Sequence, residues 1–214
     1  MIQPADSSLS QSLPRNVIDT LFETELRIRR ANATHMGYPY NLQPLQRMPR
    51  TLDAYLINNL GDPYTGSHFA AEVCGLEREV IGWLSKVWGG GGPDEHAGSV
   101  GASGTEGNIW AIYLGREALP DAVLLHSADA HYSIPKAGRL LRVETREVAS
   151  TPAGEMDLAD LGRVLDDLKG RPIILTLTCG TTMKGAHDDI AGAIRVLDQA
   201  GIGPDRRFIH VDGA

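Results

Sequence analysis

Apolar positions in the second half of the chain alternate between short continuous runs and stripes of helical period. Val123-Leu124-Leu125-His126, Ile173-Ile174-Leu175-Thr176-Leu177 and Arg207-Phe208-Ile209-His210-Val211 read as strands buried on both faces. Between them, Ile134, Ala137, Leu140 and Leu141, then Leu158, Leu161, Leu165 and Leu168, then Ile190, Ala193, Ile194 and Leu197 recur at spacings of three and four, as a helix packed on one face requires. Arg142-Val143-Glu144 with Val148 supplies a further strand, and Asp157 is the expected N-cap of a helix that ends near Gly170. Strand-helix alternation of this kind predicts an α/β fold with a mainly parallel sheet, whose ligands bind at the carboxyl ends of the strands.

The first half is less regular. Residues 1–14 are polar, rich in serine and end in Pro14, which reads as a mobile arm. Val17, Ile18, Leu21, Phe22 and Leu26 then predict an amphipathic helix with Asp19, Glu23 and Arg27 opposite; its apolar face needs a body or a partner subunit to cover it. Gly37 to Pro49 carries several helix breakers and reads as irregular or extended. The turn-rich stretch Ile57 to Tyr64 leads into a long helix expected from near His68, with Val73, Leu76, Val80, Leu84 and Val87 on its apolar stripe and Glu72, Glu77, Arg78 and Glu79 facing away. Gly89 to Gly92 with Pro93 ends it. Because these glycines follow a helix instead of joining a strand to a helix, they read as a linker and not as a phosphate loop.

Composition narrows the function. Of 214 residues, 42% are hydrophobic and 22% charged, the balance of a globular domain with a core. Twenty Lys and Arg against 27 Asp and Glu give a net charge of −7, which argues against a nucleic-acid surface. The densest basic cluster, Arg27, Arg29 and Arg30, is interleaved with Glu23 and Glu25 and reads as a solvated helix face. Cys74 and Cys179, placed in a helix and a strand, read as small buried hydrophobes of a reducing compartment. No apolar run approaches the roughly 20 residues needed to span a bilayer, and the N-terminus lacks a basic segment followed by an apolar core, so a cytoplasmic protein without a membrane partner is expected.

The chemistry centres on Gly101-Ala102-Ser103-Gly104-Thr105-Glu106-Gly107-Asn108, followed at once by the apolar run Ile109 to Leu114. Small residues that bend tightly, two hydroxyls and then a helix make an anion cup, in which free N–H groups and the positive end of the helix dipole converge. By itself such a cup could serve many cofactors. Asp129-Ala130-His131-Tyr132-Ser133, Gly180-Thr181-Thr182 and His210-Val211-Asp212-Gly213-Ala214 lie at or after strand ends. Each alone reads more readily as capping or turn residues.

Together, in this order and spacing, the segment Ser103 to Asn108, the segment Asp129 to Ser133, Gly180-Thr181-Thr182 with Gly185-Ala186 and Asp188-Asp189-Ile190, and the segment His210 to Ala214 resemble the pyridoxal-phosphate-dependent group II amino-acid decarboxylases. The bacterial histidine decarboxylase branch and the plant serine decarboxylases are most similar, and Asn58 to Tyr64 and Tyr113 to Glu117 share the likeness. The resemblance covers about Gly37 to Ala214 and implies a fold-type-I large domain, incomplete at its C-terminus. On this reading residues 1–50 form an N-terminal arm and helix, and residues 51–214 the cofactor-binding domain. It implies pyridoxal phosphate and no metal, a small amino-acid substrate, and a homodimer in the full-length enzyme. Ser103, Gly104 and Thr105 would bind the phosphate. His131 would stack on the pyridine ring and handle a proton, Asp212 would pair with the pyridine nitrogen, Ala214 would lie against the other ring face, and Thr181 would sit near the ring edge. Gly213 stands where relatives often carry alanine.

The lysine that holds the cofactor covalently in this family lies downstream of the Asp-x-Ala element, commonly next to a histidine. The lysines here are Lys86, Lys136, Lys169 and Lys184, none in such a motif, and each reads as a solvated surface residue. The 214 residues are therefore expected to be the N-terminal part of a decarboxylase, inactive alone. A second reading is a non-enzymatic remnant that pairs with a full-length subunit through its N-terminal helix. A third is a dinucleotide-binding domain, against which Gly101, Gly104 and Gly107 have the wrong spacing.

Overall fold

The structure, a computed structural model, describes residues 15–34, 62–65, 72–91 and 95–214. The expected arm over 1–14, the irregular stretch from Gly37 to Pro49 and most of the turn-rich stretch before Tyr64 lie outside the described residues. The chain divides into two units, Met1–Asn58 and Asn59–Ala214. In the first, helix α1 spans Arg15–Thr34, and Ile18, Leu21 and Phe22 on its apolar stripe are exposed. Its Arg29–Glu25 pair, one helical turn apart, is also exposed and so contributes little.

In the second unit the elements are α2 (Cys74–Val87), α3 (Gly104–Ala118), β1 (Val123–Ser127), α4 (Ser133–Leu141), β2 (Thr145–Val148), α5 (Leu158–Asp167), β3 (Ile173–Thr178), α6 (Ile190–Gln199) and β4 (Arg207–Asp212). The four strands form one parallel sheet in the order β2-β1-β3-β4. From β1 the chain runs through α4 to β2 on one side, and from β3 through α6 to β4 on the other. This reversal opens a crevice at the carboxyl ends of β1 and β3, where an open α/β sheet places its ligand.

Period two along the strands divides the core. Val123, Leu125, Ile173, Leu175 and Leu177 pack with Leu161, Leu165, Ala193 and Leu197 under α5 and α6. Leu124 and Ile174 pack with Ile112, Ile134 and Ala137 under α3 and α4, joined by Phe208. Burying each such Leu or Ile stabilises the fold by about 1.5–3 kcal/mol before entropy is counted. α3 approaches the sheet closely at Gly115, where a Cβ would stand 3.0 Å from both Ile174 and Phe208.

On the α3/α4 face the strands change character along their length. Ile174 is followed on that face by Thr176 and Thr178, and Phe208 by His210 and Asp212; in register, Thr176 opposes His210 and Thr178 opposes Asp212. The apolar half anchors the helices, and the polar half lies at the carboxyl ends.

Helix ends follow local chemistry. The Asp157 carboxylate accepts from the N–H groups of Ala159 and Asp160, and Asp189 accepts from Gly192 in the same way. The last turn of α5 is closed by Lys169 and Gly170 in the left-handed region.

Several expectations are corrected. α2 begins at Cys74 after the non-helical Glu72 and Val73, where the Glu72 carboxylate takes the Cys74 N–H; the start expected near His68 lies outside the described residues. Its apolar stripe is present but lies on the surface: Leu76, Val80, Leu84 and Val87 are exposed with Trp83 and Trp88. Val80, Ile81, Leu84 and Trp88 line a groove of about 510 Å³ with Ala97 to Gly101. Arg142 is a left-handed cap of α4, so the strand expected from it starts at Thr145. Cys74 is buried as expected, whereas Cys179 lies one residue beyond β3, half-buried, with Sγ 3.2 Å from His187 Nδ1.

Candidate functional site

α3 starts with a reciprocal cap. Ser103 Oγ accepts from the Glu106 N–H at 3.4 Å, and the Glu106 carboxylate turns back to accept from the Ala102 N–H at 2.5 Å. This is close to the Ser-x-x-Glu capping box, one residue displaced on the return bond. The N–H groups of Gly104 and Thr105 belong to the first turn, which has no intrahelical acceptors, and they remain available to an anion. Ala214 lies directly against this turn: a Cβ on Gly104 would be 2.4 Å from the Ala214 Cβ. The segment from Asp212 to Ala214 is thereby held beside the cup.

Asp212 ends β4 and is 6% exposed. Its Oδ1 accepts from the Ala214 N–H at 3.2 Å, and its Oδ2 accepts from Asn108 Nδ2 at 2.8 Å. Asn108, one turn into α3 and 3% exposed, also donates from Nδ2 to Ser133 Oγ at 2.9 Å and has its Oδ1 2.7 Å from His210 Nε2. Ser133 opens α4, where its Oγ lies 2.7 Å from His131 Nδ1 and its backbone N–H donates to the same nitrogen at 3.3 Å. Asp212, Asn108, Ser133 and His131 thus form one continuous chain of hydrogen bonds between the end of β4 and the turn after β1. Burial pushes the His210 pKa below its ordinary value, and the Asp212 charge opposes that shift only in part.

The turn carrying His131 is tied to the loop after β3. Lys184 Nζ donates to Asp129 Oδ2 at 2.9 Å, and the Asp129 N–H donates to Ser150 Oγ. The Lys184 ammonium, more than the Ser150 hydroxyl, holds the Asp129 carboxyl below the usual carboxylate range. Lys184 is therefore ion-paired, although it reads from sequence as merely solvated. Thr181 is 3% exposed, but its hydroxyl accepts from the Ala186 N–H at 3.0 Å and its N–H donates to the Ala186 carbonyl, so these bonds stay within its own loop. Asp188 fastens that loop: its two oxygens accept from the N–H groups of Met156 and Thr178, each at 2.7 Å.

The expected residues thus fall into two groups. Ser103, Gly104, Thr105, Asp212 and Ala214 meet around the start of α3, and His131 is joined to them through Ser133 and Asn108. Thr181 is not joined to them by the hydrogen bonds described. Sequence reasoning gave no role to Asn108, Ser133, His210, Thr176 or Thr178. Two signals could have found them: a lone amide at the edge of an apolar helix run, and the alternation Phe208, His210, Asp212 on one strand face. Gly213 also finds a local reason, since a Cβ there would be 2.7 Å from the Trp88 ring.

The residues fit a phosphorylated cationic ring. Among the described residues no Lys or Arg pairs with Asp212, so this buried carboxylate is held only by neutral donors. A protonated pyridine nitrogen is the complement it lacks. The hydroxyl oxygens of Thr176 and Thr178, buried on the same sheet face, have no hydrogen-bond partner among the described residues.

The pyridoxal-dependent decarboxylase conserved domain matches residues 116–214. Serine decarboxylase 1 of Oryza sativa subsp. japonica is 38% identical over 180 residues, covering 84% of this chain and 37% of that protein. Histidine decarboxylase of Morganella morganii is 37% identical over 186 residues, covering 84% and 47%. The chain spans less than half the length of these two curated relatives. The crystal structure of L-methionine decarboxylase from Streptomyces sp. 590 superposes with a TM-score of 0.77 at 23% identity, covering 94% of this chain and 55% of that one, a likeness of fold.

Proposed function

The chain belongs to the pyridoxal-phosphate-dependent amino-acid decarboxylases, and on that premise we propose that it carries the cofactor-binding half of an L-amino-acid carboxy-lyase resembling the histidine decarboxylases. The observation that carries this reading is the hydrogen-bonded chain Asp212–Asn108–Ser133–His131 beside the start of α3. The N–H groups of Gly104 and Thr105, with the Ser103 and Thr105 hydroxyls, bind the phosphate at the positive end of the helix. Asp212 holds a proton on the pyridine nitrogen through a charge-assisted bond in a buried setting. His131 would face one side of the ring and Ala214, small enough to leave room, the other; Thr181 would border the ring edge.

Bound there, pyridoxal phosphate supplies an electron sink for the pair left on the α-carbon when carbon dioxide departs. The chain's own residues would bind, orient and exclude water: Asp212 would maintain the ring charge that makes the sink effective, and His131 would be the group that handles a proton there. The whole enzyme is a cytoplasmic homodimer in this proposal. The exposed apolar face of α2, with Val80, Leu84 and Trp88, supports a covering partner surface. No helix among the described residues is long and apolar enough to cross a membrane.

The four lysines of this chain lack the family's neighbouring histidine, and Lys184, on the loop after β3, is engaged by Asp129. The 214-residue chain is therefore expected to bind the cofactor without a covalent bond and to turn over negligibly. Adding pyridoxal phosphate to the purified chain should change the cofactor's absorbance saturably, and borohydride should leave no reduced lysine adduct. Absence of saturable binding overturns the cofactor site; a specific lysine adduct overturns the non-covalent mode. An in-frame downstream sequence with a His-Lys element separates the enzyme from a non-enzymatic remnant.

A further inference from the structure

We propose that Asn108 is a positioning residue that locks Asp212 and His131 into one orientation, giving one amide proton to each side. The cofactor roles of those two residues rest on the function proposed above; the clamp itself rests on the geometry. An ionised carboxylate only accepts hydrogen bonds, so the Asn108 side chain must turn Nδ2 toward Asp212, 2.8 Å away. Its Oδ1 then faces His210 Nε2 at 2.7 Å, which must carry a proton and donate it. The second Nδ2 proton goes to Ser133 Oγ at 2.9 Å. Having accepted there, the Ser133 hydroxyl gives its own proton to His131 Nδ1 at 2.7 Å, and the Ser133 backbone N–H points at the same nitrogen. A backbone N–H cannot accept, so Nδ1 is the bare nitrogen and the neutral ring carries its proton on Nε2.

The Asp212 charge thus sets the direction of the bonds made by the Asn108 amide, and the Ser133 backbone N–H sets that of the bond to His131. Reversing that amide would set oxygen against oxygen at Asp212 and nitrogen against a donor at His210. Asn108 sits on α3, the helix whose first turn forms the anion cup. The cup, the carboxylate for the ring nitrogen and the imidazole for the ring face are therefore referenced to one rigid element, although they come from three separate segments of the chain.

The test uses the full chain without cofactor and reads side-chain amide and imidazole signals by nitrogen-15 NMR. In the wild-type chain both Asn108 amide protons should exchange far more slowly than those of an exposed asparagine, and His131 should be protonated on Nε2 with Nδ1 bare. Ser133→Ala should free one of the two amide protons, leave the other protected, and raise the Nδ1-protonated form of His131 several-fold; Ser133→Thr, which keeps the hydroxyl, should restore both. Asn108→Leu should release His131 in the same way; should that variant not fold, the wild-type spectrum and the Ser133 pair decide alone. The proposal is overturned by rapid exchange of both protons in the wild type, by equal loss of both in Ser133→Ala, or by an unchanged His131 tautomer. If the clamp signals appear as expected but added pyridoxal phosphate leaves His131 unshifted, the cofactor reading fails and the clamp stands.

Discussion

Gly104 and Ala214 approach so closely that a methyl group on Gly104 would stand 2.4 Å from the Ala214 Cβ. Glycine is required there by contact, since the residue occupies the first turn of α3 in ordinary helical backbone. Gly104→Ala has two opposed effects on the empty chain. Helix propensity favours alanine by up to about 1 kcal/mol, and overpacking costs about 1–3 kcal/mol. The melting temperature should fall only slightly, because Ala214 can shift. The shift moves the Asp212–Ala214 segment off the cup, so pyridoxal phosphate affinity should drop about tenfold, near 1.4 kcal/mol. Titration followed by absorbance checks this; unchanged affinity would mean that the contact does not shape the cup.

Asp212→Asn separates stability from binding. Asp212 is 6% exposed, and among the described residues its carboxylate is held by the Asn108 amide and the Ala214 N–H. Burying a charge without a cation is unfavourable, but the amide offers one acceptor where the carboxylate offers two and turns its NH2 toward the Ala214 N–H or the Asn108 amide, so the two effects oppose and the empty chain should lose no more than about 1–3 kcal/mol. The same change removes the proposed partner of the ring nitrogen and should weaken pyridoxal phosphate binding by about 1.5–3 kcal/mol, the worth of a charge-assisted bond. Paired thermal melts and cofactor titrations test both halves. A large loss of stability with unchanged binding would assign Asp212 a structural role.

The contrast between Asp212 and Asn108 shows what the sequence made legible. Strands β1, β3 and β4 and helices α4 to α6 are written in local signals: continuous apolar runs, apolar residues every third or fourth position, and the carboxylates Asp157 and Asp189 ahead of helices. Asp212, His131 and the Ser103 to Thr105 cup stand out because they lie at strand ends or helix starts within recognisable motifs. Asn108 does not, because its partners Asp212 and Ser133 lie 104 and 25 residues away, and only the folded sheet brings them together. The α2 stripe fails for a related reason: periodicity identifies an apolar face but not whether another surface covers it. The strand beside Cys179 predicts burial for it, and one residue beyond the strand its environment changes. Ser103 and Glu106 have the spacing of a capping box, a role that the phosphate reading of the loop obscured.

His210 gives the fold a dependence on pH with a definite sign. Burial holds its folded pKa below the usual 6.5, and Asp212 offsets only part of that. Below 6.5 the unfolded chain therefore binds a proton that the folded chain does not, so stability is complete above that pH and is lost as the solution is acidified toward the folded pKa. One proton limits the slope to about 1.4 kcal/mol per pH unit. His210→Gln keeps a donor for the Asn108 carbonyl oxygen but does not titrate, and it should flatten the stability profile between neutral pH and pH values below 6.5. Denaturant unfolding at a series of pH values measures this, and an unchanged slope in the variant would place the dependence elsewhere.

Glu106 competes at the cup. Its carboxylate takes the Ala102 N–H at 2.5 Å and lies over Gly101, where a Cβ would be 3.0 Å from the same oxygen. A negative side chain in the first turn favours the helix by about 0.3–1 kcal/mol, yet it repels a phosphate drawn to the same dipole. Glu106→Gln retains an acceptor for Ala102 and the capping geometry while removing the charge. The empty chain should lose no more than about 1 kcal/mol, the dipole contribution. Inorganic phosphate and pyridoxal phosphate should both bind about two- to fivefold more tightly at low ionic strength, converging with the wild type as salt screens the repulsion. The salt series distinguishes causes: tighter binding independent of ionic strength would point to a rearranged loop, and weaker binding would show that the Glu106 carboxylate builds the cup instead of opposing its ligand.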